Sequence, residues 1–178
     1  MIETLQQYDL VMAKCRALFL QKAQDYGTAW RVLRPSSLTD QIFIKARRIR
    51  QIQENGEQRV SDSVNIELIG IVNYAVFAMV QLSLPSDTPM ELGIERATSL
   101  FDDQIAAAKA LMSAKNHDYG EVWREMRTSS MVDLILMKLL RIKQIEDNAG
   151  KTIASEGLEA NYQDIVNYAV FCLIKETL

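Results

Sequence analysis

The sequence repeats itself, and no other feature constrains the fold as strongly. Residues 22–54 match residues 115–147 without a gap at an offset of 93, and residues 61–77 match residues 155–171 at an offset of 94. Roughly half of the aligned positions are identical, whereas unrelated sequences of ordinary composition share about one position in twenty. The chain of 178 residues is therefore predicted to be a tandem duplication of one unit.

Two prolines mark the junction between the copies. Pro85 and Pro89 would each interrupt a helix, because proline lacks a backbone N–H and its ring clashes with the preceding turn. The predicted organisation is a first copy at residues 1–84, a linker at 85–89 and a second copy at 90–178. Three helices bury their apolar faces poorly alone, so we expect the two copies to pack as one globular unit.

Each copy is predicted to form three helices. Helix-forming residues are abundant, with only seven glycines and three prolines. Apolar residues recur at helical spacing, and no stretch alternates as a strand does. Six helices with short loops predict an all-α helical bundle, in which two tandem three-helix repeats are related by a pseudo-twofold axis.

Short signals predict the helix ends. The first helix of each copy runs up to Asp-Tyr-Gly, where Gly27 or Gly120 can take the left-handed conformation. The second helix should follow a serine N-cap with an aspartate three residues later, as in a capping box. These pairs are Ser37 with Asp40 and Ser130 with Asp133. The third helix should follow Ser61 or Ser155.

Composition excludes several classes of protein. A net charge of −3 is a poor match for nucleic acid, and a single histidine excludes multi-histidine metal sites within one chain. Cys15 and Cys172 are expected to be reduced core residues of a cytoplasmic protein. The N-terminus lacks the features of a signal peptide, and no apolar run reaches the ~18 residues of a membrane span.

The positions that stay identical in both copies are mostly not core positions. Core packing tolerates apolar exchanges, and the copies contain many, such as Ile44 for Met137. The retained residues are mainly polar, charged or aromatic. The pairs are Lys22/Lys115, Asp25/Asp118, Tyr26/Tyr119, Gly27/Gly120, Trp30/Trp123, Arg31/Arg124, Arg34/Arg127, Asp40/Asp133, Lys45/Lys138, Arg48/Arg141, Asn73/Asn167 and Tyr74/Tyr168.

A basic set recurs around the second helix of each copy. Lys138 and Arg141 share one helix face, and Lys115 lies in the last turn of the preceding helix. The equivalents in the first copy are Lys22, Lys45 and Arg48. Three converging cations would suit a phosphate or pyrophosphate group. The alternative is a solvated face, or intramolecular salt bridges to Asp25, Asp40 and their counterparts Asp118 and Asp133.

An acidic set accompanies the basic one and is fuller in the second copy. Asp164 and Asn167 share a face of the last helix, and Glu156 lies about two turns earlier on the same stripe. Glu156 and Asp164 could hold Mg²⁺ against a phosphate, with Asp118 as a further ligand or catalytic base. The alternative is that Glu156 favours the positive end of a helix dipole. If only one copy has kept a catalytic site, its fuller set of acidic residues makes the second copy the better candidate.

Aromatic and amide side chains complete the repeated set. Two aromatic residues flank the cation loop in each copy, Tyr26 and Trp30 or Tyr119 and Trp123. A base could stack on one of them, or they could pack the loop onto the core. Asn73 and Asn167 lie inside apolar runs, so each must find a hydrogen-bond partner, either in fixing helix register or at a ligand.

In combination, these motifs resemble a known family. The chain resembles the nucleotide modification associated domain 1 family over nearly its whole length, once in each copy. The motifs that carry the resemblance are, in order, D-Y-G…W, D-x-x-x-x-K-x-x-R-I and a helix ending in D-I-V-N-Y-A. The resemblance implies an all-helical bacterial or phage protein linked to the metabolism of modified nucleotides. The family pattern has three acids at four-residue intervals. The second copy supplies Glu156 and Asp164 around Ala160, and the first supplies Asp62, then Ile66 and Gly70.

The acids on helices also resemble, more distantly, the all-α nucleoside triphosphate pyrophosphohydrolases of the MazG and dimeric dUTPase type. That resemblance implies Mg²⁺-dependent cleavage between the α- and β-phosphates. The leading hypothesis is a cytoplasmic nucleotide-binding protein, with Mg²⁺-dependent phosphohydrolysis as its catalytic form. The alternatives are a nucleotide sensor, or a helical scaffold whose repeated charges form structural salt bridges. Related bundles often pair, which allows a homodimer.

Nucleic-acid binding rests on one short segment. The sequence KARRIRQ in the first copy is rich in arginine, as a phosphate-binding surface would be. In the second copy Leu140 replaces Arg47, so the segment is not a repeated feature. We therefore expect a small-molecule partner rather than nucleic acid or a membrane.

Overall fold

Six α-helices account for most of the structure, a computed structural model that describes residues 2–56, 63–154 and 156–177. They are α1 (Ile2–Tyr26), α2 (Pro35–Asn55), α3 (Val64–Ser83), α4 (Ile94–Tyr119), α5 (Thr128–Asp147) and α6 (Leu158–Thr177). A short 3-10 helix follows α1 at Ala29–Val32, and another follows α4 at Val122–Arg124. No strand occurs within the described ranges, so the predicted all-α fold is confirmed.

The third helices of the two copies form the centre of the bundle. α3 packs against α6, and α2 packs against α5, so the copies meet along these helix pairs. Within each copy the second helix packs on the third. α1 and α4 each contact both α3 and α6 as well as each other. Exchanging the copies leaves this pattern unchanged, which is the expected pseudo-twofold arrangement.

One apolar core runs through both copies. Ile71 of α3 and Ile165 of α6 are fully buried in the same cluster as Leu38 of α2 and Ile135 of α5. Polar contacts also cross between the copies, because the Thr39 hydroxyl donates to a Glu146 carboxylate oxygen at 2.8 Å. Each copy therefore buries its apolar faces against the other.

α3 is long and apolar enough to cross a membrane, judged by length and composition alone. However, 56% of its most apolar stretch is buried inside the protein. The helix packs against α1, α2, α4 and α6. A helix that is apolar on most sides is expected at the centre of a helical bundle, and the packing of α3 is consistent with its composition.

The glycines after α1 and α4 end these helices as predicted. Gly27 has a φ of +57° and Gly120 a φ of +67°, both in the left-handed region that favours glycine. Each amide donates back to the last turn of its helix, at 2.9 and 3.0 Å. The chain then turns directly into the 3-10 helices that carry Trp30 and Trp123.

The predicted serine caps of the second helices are wrong. α2 begins at Pro35 and α5 at Thr128, so Ser37 and Ser130 lie inside the first turn. For α2 the reason is that proline suits the first helical position, where its fixed φ and missing N–H cost nothing. α3 is capped by Ser63, whose Oγ accepts from the backbone amide of Ile66 at 3.3 Å. Ser61, Asp62 and Ser155 lie outside the described residues.

The repeated aspartates of the second helices bridge the two copies instead of capping. Asp40 accepts from Lys143 at 2.7 Å, and Asp133 lies 3.5 Å from Arg50. These pairs are equivalent under the repeat, since Lys143 occupies the position of Arg50. Both aspartates are exposed, so the pairs contribute little to stability.

The repeated asparagines tie the third helix of each copy to its first helix. Asn73 Nδ2 donates to the carbonyl of Cys15 at 3.1 Å, and Asn167 Nδ2 donates to the equivalent carbonyl in α4 at 3.0 Å. Asn167 Oδ1 also accepts from the Tyr8 hydroxyl at 2.9 Å. Phe101 is the equivalent of Tyr8 and has no hydroxyl. Asn73 Oδ1 is therefore buried without a hydrogen-bond partner among the described residues.

Candidate functional site

A buried ion cluster joins two repeated lysines of the second copy to one carboxylate. Asp164 accepts from Lys115 Nζ at 2.5 Å and from Lys138 Nζ at 2.6 Å, using one carboxylate oxygen for each. The side chains of Asp164 and Lys138 are only 6% and 10% exposed. Burial lowers the pKa of Lys115, but its hydrogen bond to Asp164 and the charge there outweigh burial and raise this pKa. One carboxylate thus balances part of the charge of two lysines.

The first copy places its carboxylate one helical turn earlier. Glu67 of α3 accepts from Lys45 at 3.1 Å and also from Arg48, both on α2. The Glu67 side chain is 9% exposed, whereas the side chains of Lys45 and Arg48 are half-buried. In both copies, one acid on the third helix holds cations of the second helix. The copies differ in which part of the third helix supplies that acid.

This shift leaves one lysine of the first copy without a carboxylate. Gly70 stands where the second copy has Asp164. Lys22, the equivalent of Lys115, is exposed and has no ion-pair partner in the described part of the chain. The two copies therefore keep the same lysines but use them differently.

A cavity of about 450 Å³ opens in the first copy at this point. Its volume lies within the range of small-molecule sites. The cavity is bounded by α1, the 3-10 helix that follows it, α2 and α3, and Lys22, Lys45 and Gly70 are among its lining residues. Its other walls are mainly apolar and aromatic: Phe19, Ala23, Tyr26, Trp30, Leu33, Ile66, Tyr74 and Phe77.

The equivalent space in the second copy is nearly closed. It measures about 50 Å³ and is lined by Met112, Lys115, Asn116, Asp164 and their neighbours. Asn116 replaces Ala23 of the first copy, and Asp164 replaces Gly70. Two larger polar side chains thus fill the volume that remains open in the first copy. The open cavity lies in the first copy, and not in the second copy that the acidic set favoured.

The repeated tryptophans pack onto the third helices. Trp30 stacks on Phe77 with ring centroids 4.4 Å apart, and Trp123 stacks on Phe171 at 4.2 Å. Trp123 is buried, whereas Trp30 is half-buried and lines the first-copy cavity. The tyrosines behave differently, because Tyr26 and Tyr119 are 68% and 71% exposed. Of these two, Tyr26 lines the cavity.

A buried acceptor lies in the cavity wall. Asn73 is a lining residue and is 7% exposed, and its Oδ1 atom has no hydrogen-bond partner among the residues described. A buried polar atom without a partner costs about 1–3 kcal/mol and calls for an explanation. The hydroxyl of Tyr8 satisfies the equivalent atom of Asn167, and the exchange of Tyr8 for Phe101 explains why Asn73 Oδ1 has no such donor.

Arg141 lies in a different place from the lysines with which it was grouped. It is exposed and lines an open groove of about 720 Å³ between α5 and the loop that precedes α6. Glu156 lies in the same groove, whereas Lys115 and Lys138 do not line it. The three cations of the second copy therefore do not converge on one open pocket.

The acids proposed for catalysis are dispersed. Asp118 is exposed and lies 3.1 Å from His117, while Asp25 and Glu156 are also exposed. Within the described residues, no group of three or more His, Cys, Asp or Glu side chains could hold a metal ion. A cation at Asp164 would meet two ammonium groups. In this arrangement the donors do not form a ready Mg²⁺ site.

Two repeated arginines have structural partners that the sequence did not indicate. Arg31 donates to the linker carbonyls of Thr88 and Pro89 at 3.0 and 3.2 Å, and so holds the linker against the first copy. Arg124 donates to Thr4 of α1 at 2.8 Å. Arg31 therefore holds the linker in place, and Arg124 joins the second copy to the start of α1.

The sequence indicated Asn73 as a possible ligand contact, but it did not identify Gly70 and Ala23 as part of a site. The available signal was the pair of small-for-large exchanges between copies, Ala23 for Asn116 and Gly70 for Asp164. Such exchanges next to repeated lysines indicate a difference in pocket volume. These exchanges were harder to recognise than the acidic residues, because glycine and alanine have no functional group in their side chains.

Comparison with known proteins identifies the repeated unit. A family model described as nucleotide modification associated domain 1 matches residues 22–82 and, separately, residues 115–175. The two matches together cover more than half of the chain and coincide with the duplication. The more distant similarity to MazG-type pyrophosphohydrolases is not shown by this comparison. Neither a curated protein nor a solved structure matches the chain.

Proposed function

Because this chain belongs to the nucleotide modification associated domain 1 family, we propose that it binds a nucleotide or nucleotide-like small molecule in the first-copy cavity. One observation carries the proposal. The same two repeated lysines line an open cavity in the first copy and are held by Asp164 in the second. We place this role in the cytoplasm, within nucleotide metabolism.

The lining of the first-copy cavity suits both chemical parts of a nucleotide. The rings of Trp30, Tyr74 and Phe77 offer apolar surface to a planar base. Lys22 and Lys45 offer positive charge to a phosphate. Apolar walls with a few convergent polar groups are typical of small-molecule sites.

Binding is the function that this cavity supports best, and hydrolysis is a narrower proposal. A Mg²⁺-dependent phosphohydrolase needs carboxylates beside the phosphate. The acid closest in sequence to Gly70 is Glu67, which already pairs with Lys45 and Arg48. A catalytic form would require Glu67 to exchange these cations for a metal ion.

A thermal-shift screen with nucleoside mono-, di- and triphosphates, each with and without Mg²⁺, tests the proposal. A ligand that binds the folded state alone must raise the unfolding temperature. We expect Lys22→Ala to weaken binding about tenfold, because a hydrogen bond to a charged group contributes about 1.5–3 kcal/mol. Lys115→Ala is the matched control and should leave the affinity unchanged.

Two results would count against this function. The first is no shift with any nucleotide, together with no release of phosphate or pyrophosphate. The second is equal loss of binding in the Lys22 and Lys115 variants, which would mean that the cavity is not the site.

The second candidate function is a helical scaffold. The pairing of Lys138 with Asp164 out of water supports it, because the scaffold hypothesis requires the repeated charges to neutralise one another. In the first copy Lys45 and Arg48 also pair with Glu67, but Lys22 lacks an ion-pair partner among the described residues. We therefore assign the structural role to the second copy and ligand binding to the first.

A further inference from the structure

The second copy holds a carboxylate at a place where the first copy has a glycine beside the same two lysines. Asp164 contacts Lys115 and Lys138 at 2.5 and 2.6 Å. The first copy has Gly70 at this position. A Cβ added to Gly70 would lie 2.8 Å from Lys45 Cε and 3.2 Å from Lys45 Nζ. The end of the Lys45 side chain therefore lies over Gly70, at the position from which Asp164 extends in the second copy, and this flexible end must swing aside for an anion to bind there.

We propose that Asp164 is a built-in substitute for the anionic group of a ligand, and that the first copy binds that group over Gly70, between Lys22 and Lys45. The second copy is then the same site in a closed, self-occupied form. The identity of the ligand as a nucleotide rests on the proposed function. The position of its anionic group rests on the comparison of the two copies.

The charges around Gly70 narrow the class of ligand to a nucleoside monophosphate. Glu67 already balances part of the charge of Lys45 and Arg48, one helical turn away. Lys22 adds one further charge, so the subsite is suited to a compact anion. A triphosphate would bring additional negative charge towards Glu67, and like charges repel. The aromatic walls then lie on the side of the base.

The first test is chemical rescue of Asp164→Gly in the full chain. Removing this side chain leaves Lys138 without a carboxylate and opens the space that Asp164 occupied. Acetate and inorganic phosphate are the probes, each compared with chloride at equal ionic strength. Acetate tests for a carboxylate-sized site, and phosphate tests for room for the larger anion. We expect at least one of them to raise the unfolding temperature of Asp164→Gly by about 2–4 °C more than that of the wild type.

Asp133→Gly is the matched control. It carries the same exchange within a helix, but at an exposed position. An equal effect of the anions on Asp164→Gly, Asp133→Gly and the wild type would overturn the proposal. No nucleotide is used, so this result is independent of the screen for the proposed function.

If Asp164→Gly does not fold in any of the salts, the first copy provides the decisive variants. Gly70→Asp installs the carboxylate beside Lys22 and Lys45, and Gly70→Asn installs a side chain of the same shape without charge. We expect the aspartate variant to unfold about 2–4 °C above the asparagine variant. Equal or lower stability of Gly70→Asp would show that the lysines do not form an anion site, and would overturn the proposal.

Discussion

Asp164→Ala is expected to lower the free energy of unfolding by about 3–5 kcal/mol, the usual cost of breaking a buried ion pair from one side. The reason is that Lys138 would remain 10% exposed with its carboxylate removed. Lys115 is 43% exposed and can turn towards water, so most of the cost arises from Lys138. Urea denaturation followed by circular dichroism measures the change.

Two variants check the cause of this loss. Asp133→Ala removes an exposed aspartate of the preceding helix and should change the free energy of unfolding little. Adding Lys138→Met to Asp164→Ala should recover part of the stability, because an apolar side chain is compatible with the buried site. A loss below about 1 kcal/mol in Asp164→Ala, or no recovery in the double variant, would contradict the buried ion cluster.

Gly70→Asp is expected to weaken nucleotide binding by at least about a hundredfold, or about 2.7 kcal/mol. The new side chain would occupy the space that the ligand needs. Its carboxylate would also pair with Lys22 and Lys45 in place of the ligand's anionic group, as Asp164 pairs with the lysines of the second copy. The end of the Lys45 side chain is flexible and can move aside, so the fold should tolerate the change. Titration calorimetry with the nucleotide identified by the screen measures the affinity.

The control for this variant is Gly157→Asp. It adds the same charge before α6, where an added Cβ would meet no neighbouring atom within 4 Å. Its affinity should equal that of the wild type. Undiminished binding by Gly70→Asp would instead place the ligand outside the first-copy cavity.

The repeat made the fold largely predictable from the sequence. Two copies with helical periodicity led to six helices, and the two Asp-Tyr-Gly motifs located helix ends at Gly27 and Gly120. The serine caps failed because helix starts depend on local geometry, and α2 already begins at Pro35. Both helices begin three residues earlier than predicted, and Asp40 and Asp133 form ion pairs between the copies instead of capping.

The candidate site was less predictable, because it depends on which charges meet in three dimensions. Identity between copies correctly drew attention to the repeated lysines, but it did not reveal that Lys115 and Lys138 share Asp164. The acidic residues of the second copy suggested a Mg²⁺ site, whereas Asp164 pairs with two lysines in the structure. The cavity is open because Gly70 and Ala23 are small residues. Its volume depends on how the helices pack, which the sequence alone does not give.

The two tryptophans provide a reporter for each copy, since the chain contains one at Trp30 and one at Trp123. Trp30 lines the first-copy cavity, whereas Trp123 is buried against Phe171 in the second copy. Trp123→Phe leaves Trp30 as the single tryptophan, and Trp30→Phe leaves Trp123. The most direct measurement is a nucleoside monophosphate titration of both variants, followed by tryptophan fluorescence. We expect a saturable change from Trp30 and none from Trp123. A saturable change from Trp123, or from neither tryptophan, would contradict a ligand site in the first copy.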